Sequence, residues 1–220
     1  MMNKKGIFIS IEGPIGVGKT TLANILNEHF NAILLREIIE ENPFLSKFYT
    51  DIKEYALQTE SFFLFNRIKQ LEDAEKVLRK GQNVVSDYNI IKNLVFAGLT
   101  LDKKQFHRYK QVYNIFVSDL PQSDIIIYLT SNTDTLMKRI AMRDRSFERQ
   151  MDQIYIDTLR KEYKYYFDPL SIKHHFGDKI PLIIEIDNSN LDFLNNEEDR
   201  KMLIKKVEDA ISNLGGTINV

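Results

Sequence analysis

The chain alternates between short, nearly continuous apolar runs and longer stretches in which apolar residues recur every three or four positions. The runs Ile7–Ile11, Ala32–Glu37, Asn83–Asp87, Asp124–Leu129 and Leu182–Ile186 predict strands, the first central and parallel. Between them the helical period predicts Thr21–Phe30, with Leu22, Ile25, Leu26 and Phe30 on its buried face. Glu41-Asn42-Pro43-Phe44 breaks the pattern. A long helix then runs from about Lys53 to about Arg79, its apolar positions being Leu57, Phe62, Phe65, Ile68, Leu71 and Leu78, with Gly81 just past its end. Tyr88–Phe96 reads as helix, Gly98-Leu99-Thr100 as a break, and Asp102–Leu120 as a helix with Phe106, Val112, Ile115 and Phe116 as its apolar set. Asn132–Arg143 (Leu136, Met137 and Ile140 inward), Met151–Tyr166 and about Glu197–Leu214 complete the helices, and Arg145–Glu148 is a charged connector. Strands separated by helices predict an α/β fold, an αβα sandwich around a five-stranded parallel sheet with right-handed crossovers. Residues 1–220 read as a single domain with a short arginine-rich lid at about 139–150.

The first strand runs directly into Gly13-Pro14-Ile15-Gly16-Val17-Gly18-Lys19-Thr20, with Thr21 opening the helix. Strand, G-x-x-x-x-G-K-T and helix in this order form the phosphate-binding loop of the P-loop NTPases. Glycines let the backbone close around a phosphate, and the helix N-terminus adds its positive end. Lys19 is expected on the β- and γ-phosphates of ATP and the Thr20 hydroxyl on Mg²⁺.

Composition narrows the class further. There are no cysteines, which excludes disulfides, thiolate catalysis and Cys-based zinc sites. A net charge of -1 gives no nucleic-acid footprint. No apolar run reaches membrane-spanning length, and Met1-Met2-Asn3-Lys4-Lys5 leads at once into the first strand rather than into a secretory signal, so a cytoplasmic location is expected. His107, His174 and His175 show no metal-ligand spacing and read as solvent-facing.

Three groups bear on what accepts the phosphate. Arg139, Arg143 and Arg145 follow the fourth strand, and the first two share a helical face; they read either as a lid neutralising a transferring phosphoryl group or as a solvated basic face. Glu37 and Asp87 end the second and third strands, where ligands of an open parallel sheet bind. Glu37 is the expected general base for an alcohol acceptor, with Glu40 and Glu41 as rivals, and Asp87 either holds the Mg²⁺ shell or caps the next helix. Glu60 and Arg67 lie two turns apart on one face of the long helix, as a pocket pair or a surface pair.

The segments IEGPIGVGKTTL, REIIEENPFLSKFY, LQTESFFLFNRIKQLE, VVSDYNIIKNLVFA, DIIIYL and RIAMRDRSFE occur in order along nearly the whole chain. In them the sequence resembles the deoxynucleoside kinase family, specifically its bacterial deoxyguanosine/deoxyadenosine kinase branch. That resemblance implies Glu37 as general base, Tyr49 reaching the sugar 3′-hydroxyl, Arg139, Arg143 and Arg145 as lid arginines, and Glu148 as a lid carboxylate near the same hydroxyl. Tyr49 and Glu148 together would leave no room for a 2′-hydroxyl. Phe44, Phe63 and Phe96 become candidates for packing the base or the core. It also implies a homodimer, which fits the surplus apolar surface on the helices at 53–79 and 102–120.

Two departures from the family pattern stand out. Its acid-arginine pair after the third strand is Asp87-Tyr88 here, so one positive charge near the 5′ end is missing. Its frequent base-reading glutamine is Glu60, and a family aspartate is Asn93. A carboxylate only accepts hydrogen bonds, which suits guanine N1–H and N2–H₂, while Arg67 as a fork donor suits O6 and N7, with Asn93 expected nearby. The reading is therefore an ATP- and Mg²⁺-dependent kinase phosphorylating the 5′-hydroxyl of a purine deoxynucleoside, preferably deoxyguanosine. Deoxyadenosine-preferring or dual activity, a thymidylate-kinase-like monophosphate kinase and a non-enzymatic NTP-binding switch are the alternatives.

Overall fold

The computed structural model describes residues 5–149 and 151–214. Met1–Lys4, most of the N-terminal stretch weighed above, and Gln150, the last residue of the expected lid, lie outside the described residues. A parallel sheet of five strands has the order β2-β3-β1-β4-β5, with β1 Phe8–Glu12, β2 Ile33–Leu35, β3 Val84–Ser86, β4 Ile125–Thr130 and β5 Leu182–Asp187. The helices are α1 Lys19–His29, α2 Leu45–Phe48, α3 Ile52–Arg79, α4 Lys92–Thr100, α5 Lys103–Val117, α6 Thr133–Arg143, α7 Gln153–Tyr166, α8 Pro169–Phe176 and α9 Glu197–Asn213, with a 3₁₀ turn at Ser146–Glu148. Both faces of β4 are covered. Ile125, Ile127 and Leu129 meet Leu22, Leu26, Leu136, Leu203 and Val207, whereas Ile126 and Tyr128 meet Ile91, Val95, Leu159 and Tyr163. Burial on both sides explains why β4 is an unbroken apolar run.

The structure turns α3 differently from its apolar pattern. Glu60 and Arg67 are on its buried face with Leu64, Ile68 and Leu71, whereas Leu57 and Phe65 are exposed. On α5 it is Tyr109 and Tyr113 that are buried, and Val112, Ile115 and Phe116 that face outward. Gly98-Leu99-Thr100 is not a break but the last turn of α4. That helix starts at Lys92 rather than Tyr88 because Asn89 ties the preceding loop down. Its backbone N–H donates to Glu12 (2.7 Å), its side chain donates to Ser10 (3.0 Å), and its side-chain oxygen accepts from the Ile91 N–H (3.0 Å). Helix α8, started by Asp168 as N-cap and Pro169 at its first turn, was not anticipated. His175 on it is not solvent-facing: it contacts the Tyr113 hydroxyl at 3.2 Å, and burial pushes its pKa down to about 4.

Candidate active site

The turn after β1 can be built only with glycine. Gly13 has φ 145°, and a Cβ there would lie 2.2 Å from the Leu129 carbonyl; Gly18, at φ 100°, takes the N-cap position of α1. Lys19 bends back over this loop, its Nζ donating to the carbonyls of Gly13 (2.7 Å) and Pro14 (3.0 Å). Burial, and then the nearby charge of Lys92, lower the Lys19 pKa to about 8. The loop is braced by Glu12, a buried carboxylate that accepts from Gly13 N–H, Asn89 N–H and the Tyr163 hydroxyl.

At the carboxyl ends of β2 and β3 the two expected acids meet. Asp87 accepts from the Thr20 hydroxyl (2.9 Å) with one oxygen and from the Glu37 N–H (2.8 Å) with the other. It caps no helix, because α4 begins five residues later. The Thr20 hydroxyl and the Asp87 carboxylate are adjacent hard-oxygen donors at the phosphate loop, a set that fits Mg²⁺ shared with phosphate oxygens and water. Among the described residues there is no cluster of three or more His, Asp or Glu that could hold a metal by itself.

Glu37 is paired on both oxygens, one with Arg67 and the other with Lys92 at 2.7 Å. Burial alone would raise its pKa, but these two cations outweigh that and hold the carboxyl well below the usual carboxylate range. Glu40 and Glu41 are exposed and line no part of the cavity.

A cleft of about 800 Å³ runs from the phosphate loop past Glu37 to Glu60. Its walls include Gly16, Gly18, Lys19, Thr20, Thr21, Asp87 and Lys92 together with Tyr49, Phe63, Phe96 and Phe147. Tyr49 stacks on Phe147 (centroids 5.8 Å apart, planes 15°). Glu60 is 2% exposed, and burial raises its pKa to about 7. Arg139, Arg143 and Arg145 line the cleft from α6 and the turn after it. Arg139 donates to the carbonyls of Asn188 and Leu191, Arg143 pairs with both oxygens of the buried Glu148, and Arg145 lies 3.8 Å from that carboxylate.

Four sequence expectations are placed elsewhere. Arg67 is turned to Glu37 and sits against the rings of Phe63 and Tyr88, so it is not a free fork beside Glu60. Tyr88 is fully buried and donates to Gln70 (2.8 Å), away from the cleft. Asn93 is fully buried and donates to the Tyr109 hydroxyl (2.8 Å). Phe44 precedes α2 and does not line the cleft. Two features escaped the sequence reading. One is Lys92, signalled only as a lone charge inside the apolar run Ile90–Phe96. The other is the 188–195 loop, where Asn188 donates to the Val17 carbonyl (2.6 Å).

Known proteins resemble this chain in sequence and fold. The sequence model described as "Deoxynucleoside kinase" matches residues 9–212. A deoxyguanosine kinase of Bacillus subtilis (strain 168) is 41% identical over 206 residues, covering 93% of this chain and 97% of the relative. A deoxyadenosine kinase of Lactobacillus acidophilus is 30% identical over 222 residues, covering 94% and 97%. The solved structure of a deoxyadenosine kinase from M. mycoides with bound dATP superposes with a TM-score of 0.77 at 26% identity, covering 92% of this chain and 99% of that one.

Proposed function

Because the chain belongs to the deoxynucleoside kinase family, we propose that it transfers the terminal phosphoryl group of ATP to the 5′-hydroxyl of a purine deoxynucleoside, preferably deoxyguanosine, giving dGMP and ADP. The observation that carries this reading is the position of Glu37, a buried carboxylate in a cleft that Lys19 and Glu60 also line. In this reading Lys19 and the loop amides hold the triphosphate, and Thr20 and Asp87 hold Mg²⁺, which supplies charge neutralisation on the phosphate oxygens. Glu37 accepts the hydrogen bond of the 5′-hydroxyl and takes its proton as the new P–O bond forms. A carboxylate already paired with two cations is a weak base, so the proton moves late, in keeping with a loose transition state. Arg143 and Arg145 close over the transferring group, and Arg139 holds the wall beside it.

The base lies between Phe63 and Phe96 with its Watson–Crick edge at Glu60. An ionised Glu60 accepts from guanine N1–H and N2–H₂, and facing adenine N1 it sets acceptor against acceptor, worth about 1–3 kcal/mol. Tyr49 and Glu148 close on the 3′ side of the sugar, crowding a 2′-hydroxyl. The names of two relatives, a deoxyguanosine kinase at 41% identity and a deoxyadenosine kinase at 30%, support a purine substrate without choosing between the two. The chain works as a homodimer in cytoplasmic purine salvage, through the outward faces of α3 and α5. No described helix is long and apolar enough to cross a membrane.

The test is to offer the purified protein ATP and Mg²⁺ with deoxyguanosine, deoxyadenosine or dGMP. Phosphorylation of deoxyguanosine over deoxyadenosine, none of dGMP, and loss of kcat in Glu37→Gln are expected. A preference for dGMP makes it a monophosphate kinase, and the absence of any transfer removes the enzymatic reading.

A further inference from the structure

We propose that the proton on Glu60 chooses the purine: the carboxylate selects guanine, the neutral acid admits adenine, and the pocket becomes dual-purine as pH falls. This rests on the guanine reading above.

Hydrogen bonding gives a charge on Glu60 little support. Its Oε1 lies 3.2 Å from the Thr100 hydroxyl, and that hydroxyl lies 2.9 Å from the Phe96 carbonyl one turn earlier in α4. Thr100 has one proton for two acceptors. The Phe96 carbonyl, at the shorter distance, competes for it, so a Glu60 carboxylate accepts at most one long, shared hydrogen bond from Thr100. The charged groups nearby are already committed. Arg67 on the same helix and Lys92 on α4 both point to Glu37; from there they still favour a Glu60 charge, which Glu37 in turn repels. Tyr49 just after α2, Tyr109 from α5 and Tyr155 from α7 face the same site, and the Tyr109 hydroxyl donates to the Glu60 backbone carbonyl rather than to its carboxyl. Burial is the largest influence and, against the pull of Arg67, Thr100 and Lys92, raises the Glu60 pKa to about 7.

The two protonation states present different patterns to a base. The carboxylate is acceptor-only and fits the paired donors of guanine. The neutral acid carries one donor and one acceptor, as an amide does, and fits adenine, whose N1 accepts and whose N6 amino group donates. The same side chain therefore reads either purine, and the proton decides which.

The experiment measures kcat/KM for deoxyguanosine and deoxyadenosine from about pH 6 to about pH 8 in the native enzyme and in Glu60→Gln. Ionisations of Glu37, Lys19 and ATP act on both substrates and cancel in the ratio. The native deoxyguanosine/deoxyadenosine ratio should rise with pH, by at most about tenfold per unit, while the Glu60→Gln ratio stays flat and lies nearer deoxyadenosine. A flat native ratio that Glu60→Gln nonetheless shifts overturns the proton gate and leaves the guanine reading standing. A ratio that Glu60→Gln does not move at any pH overturns both. Calorimetry of nucleoside binding to the native protein, in buffers of different ionisation enthalpy, gives an answer that needs no variant. Deoxyadenosine should bind with proton uptake and deoxyguanosine with release near pH 7, and equal proton exchange for the two ends the proposal.

Discussion

Lys92 Nζ lies 2.7 Å from Glu37 Oε2, and Arg67 occupies the other oxygen of the same carboxylate. A positive charge missing from the sequence at Tyr88 is thus supplied by two helices. Tyr88 itself turns to Gln70 and offers Arg67 its ring face. The double pairing fixes the Glu37 rotamer and keeps it anionic in a buried place. Removing one partner of such a cluster leaves uncompensated charge, typically costing about 3–5 kcal/mol.

Lys92→Met should therefore lower kcat by about 10²-fold while Lys92→Arg keeps most of it. Glu37 has a depressed pKa, and Lys92 is the largest of the contributions that lower it. Losing Lys92 raises that pKa, so the acid limb of the kcat profile should move to higher pH. A Lys92→Met enzyme with native kcat and an unmoved acid limb would show that Lys92 only packs.

Glu60 makes a prediction about stability without substrate. Its pKa is raised from 4.5 to about 7 on folding, so the folded state binds the proton more tightly than the unfolded chain does. Stability from this group is complete below about pH 4.5 and is lost as pH rises through about 7, amounting to about 3 kcal/mol. Glu60→Gln cannot titrate. Denaturant melts of the two proteins should therefore diverge in favour of the variant between about pH 5 and about pH 8. A constant difference across that range would mean that Glu60 does not change protonation on folding.

What the sequence disclosed follows from how local each signal is. The phosphate loop, β4 and the lid arginines are contiguous, and their geometry follows from residues within one turn or strand. Glu37 and Asp87 were legible because topology alone puts strand ends together. The orientation of α3 was not: Leu57 and Phe65 complete a plausible apolar stripe, and only distant partners, Glu37 and Thr100, make Arg67 and Glu60 tolerable inside. Lys92 was hidden for the same reason, since its partner is 55 positions away. Asn93 and Tyr88 were misplaced because the Asn89 tether delays α4 and changes which side chains reach the cleft.

The apolar residues displaced from the core would be covered in the proposed homodimer. Phe65 on α3 and Phe116 on α5 pack edge to face, 5.5 Å apart, yet remain 48% and 46% exposed, and Ile115 beside them is 71% exposed. Covering such a patch with a second copy removes it from water at about 25 cal/mol per Å². Phe65→Glu with Ile115→Asp should convert a dimer into a monomer in sedimentation equilibrium with little change in melting by circular dichroism. A native protein that sediments as a monomer at high concentration would overturn this assignment.

Arg139 separates two roles that the lid arginines can play. Its guanidinium holds the Asn188 and Leu191 carbonyls, both at 3.1 Å. Asn188 in turn donates to Val17 in the phosphate loop, and the Phe193 ring lies against Gly18. Helix α6, the 188–195 loop and the phosphate loop are thereby one connected wall of the nucleotide end of the cleft. Lysine keeps the charge but loses the planar fork, and a charged hydrogen bond to a carbonyl contributes about 1.5–3 kcal/mol. Arg139→Lys should then raise the KM for ATP by about tenfold or more, with the nucleoside KM and kcat nearly unchanged. If Arg139 instead leaves these carbonyls to meet the transferring phosphate, kcat falls and the KM for ATP holds. Steady-state kinetics with ATP and nucleoside varied in turn decides between the two.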